Sequence, residues 1–141
     1  MTRPTRIFLD ANILFSAAKS DGAIRSLVSQ LLEAGHECWG DGYVADEARR
    51  NLATKAATQL RVLDELIEQV QVSTVAPVLD RVAAAGLPEK DQFVLAAAVM
   101  TKCDILVTGD RSHFGKFYGR TVAGVEIHSP RSLHDKLFPN R

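Results

Sequence analysis

The sequence predicts an α/β fold in which a parallel β-sheet is covered by helices on both faces. Short apolar runs that are typical of buried strands alternate with longer segments that carry apolar residues at helical spacing. This alternation favours parallel strands, because each connection between them has room for a helix. The length of 141 residues suits a single domain, residues 1–141, whose hydrophobic core needs no metal or disulfide.

Five short apolar or β-branched runs are predicted to be strands. They cover residues 7–9, 36–40, 70–75, 105–107 and 122–127. The first run stops at Asp10-Ala-Asn12 and the fourth at Thr108-Gly-Asp110, because polar residues and glycine end an apolar strand.

Six helices are predicted between and after these strands. They cover residues 22–34, 44–53, 56–69, 77–85, 88–101 and 131–137. The first is clearest, because Leu27, Val28 and Leu31 share one face of it. Asp21 is expected to cap its start, and Gly35 to end it in a left-handed conformation.

The composition excludes several classes of protein. The 17 Lys and Arg residues balance 17 Asp and Glu, so no overall basic excess indicates a nucleic-acid partner. Cys38 and Cys103 are isolated, which excludes a clustered zinc site; two reduced, buried thiols are expected, with a disulfide as the alternative. No apolar stretch suits a signal peptide or a membrane span, so we expect a cytoplasmic protein without membrane association.

Acidic residues follow the predicted strands at the edge of the sheet where ligands bind in this architecture. Asp10 and Asp110 come after two strands, and Glu47 lies in the first turn of the helix that follows a third. Asp91 lies in the first turn of the helix at 88–101. Each acid alone could be a turn residue or complement a helix dipole, but their order and spacing together predict one cluster.

Carboxylates that are brought together raise one another's pKa values unless a divalent cation offsets their charge. Oxygen ligands, with no Cys or His in the set, favour Mg²⁺ or Mn²⁺ over Zn²⁺. Such an ion lowers the pKa of a bound water and stabilises the charge that develops on a phosphodiester. The cluster therefore implies hydrolysis of a phosphate ester.

Four segments carry these acids in a recognisable order. They are IFLDANILFSA at residues 7–17, VADEARRNL at 44–52, EKDQFVLAAA at 89–98 and CDILVTGD at 103–110. Together they resemble the motifs of PIN-domain ribonucleases and, among them, the VapC-like toxins of bacterial toxin–antitoxin systems. The segment IHSPRSL at residues 127–133 resembles the closing strand and helix of that family, so the resemblance covers nearly the whole chain.

The resemblance implies a three-layer α/β/α sandwich around a parallel sheet of about five strands. The positions that match the family's metal-binding catalytic acids are Asp10, Glu47, Asp91 and Asp110. Asn12 and Thr108 match the polar catalytic positions that support those acids. The implied activity is Mg²⁺- or Mn²⁺-dependent endoribonuclease cleavage of RNA. The resemblance also implies an antitoxin protein partner and a homodimer.

Two further acids and one helix-capping position differ from the family's motifs. Asp46 could replace Glu47 as the ligand, but Glu47 stands five positions before Leu52, as in the family pattern. Asp104 is interpreted as a strand-start residue, because the strand at 105–107 separates it from the site. The segment GDGY at residues 40–43 lacks the Ser or Thr often found there, so capping of the next helix is expected to differ.

Basic residues follow two of the acids and are candidate phosphate contacts. The predicted RNA-binding residues are Arg49, Arg50, Arg111 and Lys116. Residues 111–141 hold six Lys and Arg, Arg141 among them, against two acids. His113 is interpreted as a phosphate contact or a surface residue in preference to a general base. A metal bound to the acids would leave the rest of the chain net positive, so the overall neutrality does not exclude RNA.

Two other functions are kept as alternatives. An enzyme that forms an aspartyl-phosphate at Asp10 is expected to carry a second Asp where this chain has Asn12. A catalytically weak or inactive PIN-like module that binds RNA or protein would be favoured if one of the four acids were missing. Convergence of all four carboxylates on one pocket of the size of a metal site would favour the nuclease.

Overall fold

A six-stranded sheet forms the centre of the computed structural model, which describes residues 3–140. The strands are β1 (Arg6–Leu9), β2 (Glu37–Asp41), β3 (Gln71–Ser73), β4 (Ile105–Val107), β5 (Thr121–Val122) and β6 (Val125–His128). Their order is β3-β2-β1-β4-β6-β5, and only the β5–β6 pair is antiparallel among the described strands. The prediction of a parallel sheet is confirmed, with β5 as an added antiparallel edge.

Helices cover both faces of the sheet. They are α1 (Ala11–Lys19), α2 (Ala23–Glu33), α3 (Gly42–Lys55), α4 (Leu60–Ile67), α5 (Glu89–Met100), α6 (Arg111–Phe114) and α7 (Pro130–Leu137). The chain runs from β1 outward to β2 and β3, and then returns past β1 to β4. Right-handed crossovers therefore place α1–α4 on one face and α5 on the other, which is the predicted three-layer sandwich. Helix α1 packs against α2, α3 and α4, and α5 packs against β2, β4 and β6.

The two central strands, β1 and β4, set the position of the site. Phe8 and Leu106 are both fully buried, because a strand covered on both faces is apolar throughout. The register pairs Leu9 with Val107, so the two strands end at the same level. Strand order reverses between them, and residues that follow them therefore meet at the switch point of the sheet.

Aspartates cap the helices that start at this edge. The Asp10 carboxylate accepts a hydrogen bond from the Ala11 N–H and begins α1, a helix that the sequence analysis did not predict. Asp41 accepts from the Val44 N–H at 3.0 Å and begins α3. Asp41 thus supplies the cap that the absent Ser or Thr does not, as expected for this segment.

Three local predictions were wrong. The helix predicted over 77–85 is irregular chain with only a 3₁₀ turn at Ala83–Ala85, because its β-branched valines disfavour a short helix without a buried stripe. The strand predicted over 122–127 is a hairpin that turns at Ala123 and Gly124, both with positive φ (52° and 84°). Gly22, not Asp21, is the N-cap of α2, and it makes no side-chain hydrogen bond; Gly35 does adopt the expected positive φ of 87°.

Other sequence expectations concern the cysteines and membrane association. Cys38 and Cys103 are buried and free, as expected for reduced thiols. Within residues 3–140, no helix has the length and apolar character needed to cross a membrane.

Matched valine substitutions test which strands contribute to the hydrophobic core. Val107 on β4 is fully buried, whereas Val72 on β3 is 42% exposed. Val107→Ala removes two buried methyl groups and is expected to lower the free energy of unfolding by about 2 kcal/mol or more. Val72→Ala is expected to change it by less than about 0.5 kcal/mol. Urea denaturation measures both, and equal effects would contradict this assignment of core and edge.

Candidate functional site

All four predicted acids line one cavity at the switch point of the sheet. Its volume is about 200 Å³, and its walls come from α1, α3, the first turn of α5 and the loop after β4. The lining residues are Asp10, Ala11, Asn12, Phe15, Glu47, Asn51, Lys55, Lys90, Asp91 and Asp110. Convergence of acids that are distant in sequence is the arrangement that the strand-exit positions predict.

Asp10 is the most enclosed of the four together with Asp91, at 5% and 4% exposed. Its Oδ1 accepts from the Ala11 N–H at 2.7 Å, and its Oδ2 accepts from the Thr108 hydroxyl at 2.7 Å. The Asn12 amide donates to the same Oδ2 at 3.2 Å. These donors fix the orientation of the carboxylate between β1 and β4.

Asn12 and Thr108 join the two strand exits in one hydrogen-bond network. The Asn12 amide nitrogen also donates to the Thr108 hydroxyl at 3.3 Å, and Asn12 Oδ1 accepts from the Gly109 N–H at 2.8 Å. The Asp110 N–H donates to Thr108 Oγ1 at 3.1 Å. Both residues therefore contact Asp10 and the loop that carries Asp110, and their supporting role in catalysis stays a prediction.

Glu47 faces the cavity from α3, and its charge is paired. Lys90 Nζ lies 2.6 Å from Glu47 Oε1, and this hydrogen bond is the largest cause of a raised pKa for the lysine. Asp46 is exposed and does not line the cavity. Asp104 lies at the opposite end of β4, where it accepts from the Arg6 N–H and pairs with Arg3. The geometry thus favours Glu47 over Asp46 and agrees with Asp104 as a strand-start residue.

Asp91 and Asp110 meet the imidazole of His113. His113 Nδ1 is 2.7 Å from Asp91 Oδ2 and 3.0 Å from Asp110 Oδ2. The buried Asp91 Oδ2 has no other hydrogen-bond partner in the described part of the chain. One imidazole therefore faces two carboxylates and carries at most one positive charge, so the pair retains negative charge that a further cation would offset.

Burial dominates the electrostatics of the acids. It raises the pKa of Asp10 from 3.8 to about 6, against the lowering effect of the hydrogen bonds from Thr108 and Ala11. The negative charges of Glu47 and Asp91 add to the increase. Burial also raises the pKa of Asp91, and His113 and Lys90 only partly oppose it. The cluster is therefore unfavourable in its fully ionised form unless further positive charge is present.

The donor set fits a divalent cation. Four carboxylates from separate segments share one small cavity, and the basic side chains that pair with them are Lys90 and His113. Carboxylate oxygens are the preferred ligands of Mg²⁺ and Mn²⁺. Asp91, Asp110 and His113 in addition offer three ligand atoms within 4.8 Å of one another.

The basic residues of the cavity differ from those predicted to bind RNA. Lys55 and Lys90 line the cavity, and Arg49, Arg50, Arg111 and Lys116 do not. Arg49 pairs with Asp64 at 2.7 Å, and Lys116 lies over the Phe117 ring. Arg50 and Arg111 are exposed. RNA contact by these four residues stays a prediction, and Arg141 lies outside the described residues.

Several residues of the site were not predicted, although helical spacing indicates them. Glu47, Asn51 and Lys55 recur at intervals of four along α3, and Asn12 and Phe15 are three apart on α1. The Phe15 ring lies 5.6 Å from Lys19 Nζ and 5.5 Å from Lys55 Nζ. His113 follows Asp110 by three positions, which is one turn of a helix.

Comparison with known families agrees with this geometry. Residues 6–112, which include all four acids, match the model of the PIN domain. The chain belongs to the PIN domain family.

Solved structures share the fold of this PIN domain at low sequence identity. VapBC2 from Rickettsia felis, bound to a DNA fragment from its promoter, is 13% identical with a TM-score of 0.62. DNA-bound VapBC from Salmonella typhimurium is 16% identical with a TM-score of 0.63, and FitAcB from Neisseria gonorrhoeae is 18% identical with a TM-score of 0.56. Each match covers 89% of this chain and 98% of the other. No curated protein sequence matches the chain significantly.

The raised pKa of Asp10 predicts how the stability of the metal-free protein depends on pH. The folded state holds the Asp10 proton up to about pH 6, whereas the unfolded state releases it near 3.8. Stability therefore falls as the pH rises through that window, by up to about 3 kcal/mol. Asp10→Asn removes this loss, so in EDTA the variant is expected to be more stable than the wild type at pH 8 and equal to it below pH 4.

Urea unfolding at the two pH values measures this difference. Asp21→Asn is the control, because Asp21 is exposed and lies outside the cavity. A stability difference for Asp10→Asn that does not change with pH would contradict the assignment.

Proposed function

We propose that this PIN domain is a metal-dependent endoribonuclease that hydrolyses RNA phosphodiester bonds and serves as the toxin of a toxin–antitoxin pair. The observation that carries the proposal is the single cavity lined by Asp10, Glu47, Asp91 and Asp110, in which Asp91 and Asp110 share one imidazole as their partner. Membership of the PIN domain family and the fold shared with VapBC structures support it.

The four acids are the proposed ligands of Mg²⁺ or Mn²⁺. When bound, such an ion supplies positive charge for the phosphodiester and for the attacking hydroxide. Thr108 and Asn12 hold the Asp10 carboxylate through hydrogen bonds at 2.7 and 3.2 Å, so that its orientation is set before any ligand arrives. Lys90 neutralises Glu47 at 2.6 Å and keeps the cavity from carrying four uncompensated charges.

RNA is the proposed substrate, and basic residues around the acids are its proposed contacts. Lys55 lines the cavity and lies against the Phe15 ring, which offers an apolar face beside the acids. Phosphate contacts dominate affinity for nucleic acids, and an aromatic ring can stack on a base. Arg49, Arg50, Arg111 and Lys116 are proposed to contact the chain beyond the cavity.

An antitoxin protein is the proposed partner, and a homodimer the proposed assembly. Support for the antitoxin comes from the fold shared with the VapBC proteins of Rickettsia felis and Salmonella typhimurium. Phosphoryl transfer through an aspartyl intermediate is a weaker alternative, because Asn12 donates a hydrogen bond to Asp10 where such an enzyme needs an acid.

Substitution of one proposed ligand tests the activity. Asp10→Asn is expected to reduce RNA cleavage by about 100-fold or more, because a neutral amide binds the cation poorly. Asp46→Asn is the matched control, since Asp46 is exposed, lies outside the cavity and is adjacent to Glu47 in sequence. Cleavage is measured on labelled RNA with Mg²⁺ or Mn²⁺, and again with EDTA. Full activity in EDTA or in the Asp10→Asn protein would overturn the mechanism.

Expression in a bacterial host tests the proposed toxin role. The wild type is expected to arrest growth and to produce discrete RNA ends, because an endonuclease cuts within its substrate. Mapping of cleavage sites on total RNA after induction measures this, with Asp10→Asn as the control. Equal growth and equal RNA ends for the two proteins would contradict the proposal.

A further inference from the structure

His113 lies at the candidate metal centre, although the sequence indicated only a phosphate contact or a surface position. We propose that His113 Nδ1 is a nitrogen ligand of the metal held by Asp91 and Asp110, and that it makes the site prefer a first-row transition-metal ion such as Mn²⁺ to Mg²⁺. This inference rests on the proposed function in one respect, since it concerns the same metal centre.

Helix α6 presents Asp110 and His113 on one side of a single turn. Asp110 Oδ1 caps the helix by accepting from the His113 N–H at 3.3 Å, which leaves Oδ2 available. That Oδ2 is 3.0 Å from His113 Nδ1, at the three-residue spacing that brings side chains together on a helix. The cap thus holds an oxygen donor and a nitrogen donor side by side.

Asp91 completes the set from α5. Its side chain is only 5% exposed, and its Oδ2 is 2.7 Å from the same His113 nitrogen. That Oδ2 is buried, and within residues 3–140 it has no hydrogen-bond partner other than this histidine. The three ligand atoms lie within 4.8 Å of one another, so one ion can contact all of them. One imidazole carries at most one positive charge against these two carboxylates, so a bound cation would offset the negative charge that remains.

The nitrogen donor determines which ion is preferred. Mg²⁺ binds oxygen ligands and is reluctant to lose its water, whereas transition-metal ions accept imidazole readily. A site formed by carboxylates alone would accept Mg²⁺ and Mn²⁺ with little distinction. Addition of one imidazole ligand shifts the preference towards the transition-metal ion.

His113 has one competing role with the opposite consequence. As an imidazolium counter-ion, it would neutralise Asp91 and Asp110 in the metal-free protein, much as Lys90 neutralises Glu47. A metal would then have to displace it, and removal of His113 would tighten metal binding. The ligand role predicts weaker binding, so the sign of the change distinguishes the two.

The test compares metal-free wild type with His113→Gln and His36→Gln. His36 precedes β2, at the opposite edge of the sheet from the cavity, and is the matched histidine control. Calorimetric titration is expected to show that His113→Gln raises the Kd for Mn²⁺ about tenfold or more, and the Kd for Mg²⁺ less than about threefold. Pulsed electron paramagnetic resonance of the Mn²⁺ complex is expected to show nitrogen coupling in the wild type and in His36→Gln, and none in His113→Gln.

Three outcomes would overturn the inference. Saturable Mn²⁺ binding without nitrogen coupling in the wild type excludes His113 as a ligand and leaves the proposed nuclease intact. Tighter Mn²⁺ binding by His113→Gln assigns the counter-ion role instead. Failure of the wild type to bind either Mn²⁺ or Mg²⁺ removes the metal centre and the proposed function with it. The nitrogen coupling is measured on the wild-type Mn²⁺ complex itself. Misfolding of His113→Gln would therefore not prevent this test of whether His113 is a ligand.

Discussion

The burial of negative charge at the switch point of the sheet is the constraint on which this structure depends. Strands β1 and β4 are covered on both faces and end at the same level of the sheet, so the residues that follow them lie side by side at the end of the apolar core. Two carboxylates, those of Asp10 and Asp91, are nearly enclosed there, and burial raises both of their pKa values. The fold tolerates them in part because the Thr108 hydroxyl, the Asn12 amide and the Ala11 N–H donate to Asp10, and His113 contacts Asp91.

The hydrogen bonds and positive charges around the acids offset only part of their negative charge, and the uncompensated part indicates what the site binds. Thr108, Asn12 and the Ala11 N–H satisfy Asp10, and Lys90 pairs with Glu47. Asp91 and Asp110 share one imidazole, that of His113, and the buried Asp91 Oδ2 has no other partner in the described part of the chain. A site built only for stability would not keep this excess of negative charge, since it costs free energy in the folded state. The excess supports the proposed function, because a bound cation would offset it.

The sequence predicted the sheet and the acids well because both depend on strong local signals. The apolar runs at residues 7–9 and 105–107 indicate buried strands, and polar residues mark where they end. Helix α1 was not predicted because the polar residues after β1 indicated only where the strand ends, although the Asp10 carboxylate also caps a helix. The chain at 77–82 was predicted to be helical, but its two β-branched valines and the lack of a buried stripe leave it irregular.

The chemistry of the cavity was harder to predict than its acids. His113, Lys55 and Lys90 enter the site through the turn of α6, the face of α3 and the start of α5, and these directions depend on packing between elements. The basic residues nearest the acids in sequence were a poor guide, because Arg49 points to Asp64 and not into the cavity. Spacing along a helix indicates which side chains enter the cavity, provided that the helix itself has been predicted.

Proton release on metal binding tests the central claim most directly, that the buried acids form one cation site. Calorimetric titration of the metal-free protein with Mn²⁺ in buffers of different ionisation enthalpy counts the protons released. Because the pKa of Asp10 is raised to about 6, binding at pH 6 is predicted to be saturable and to release protons, and binding at pH 8 to release fewer. No saturable binding, or the same proton count at both pH values, would contradict the account.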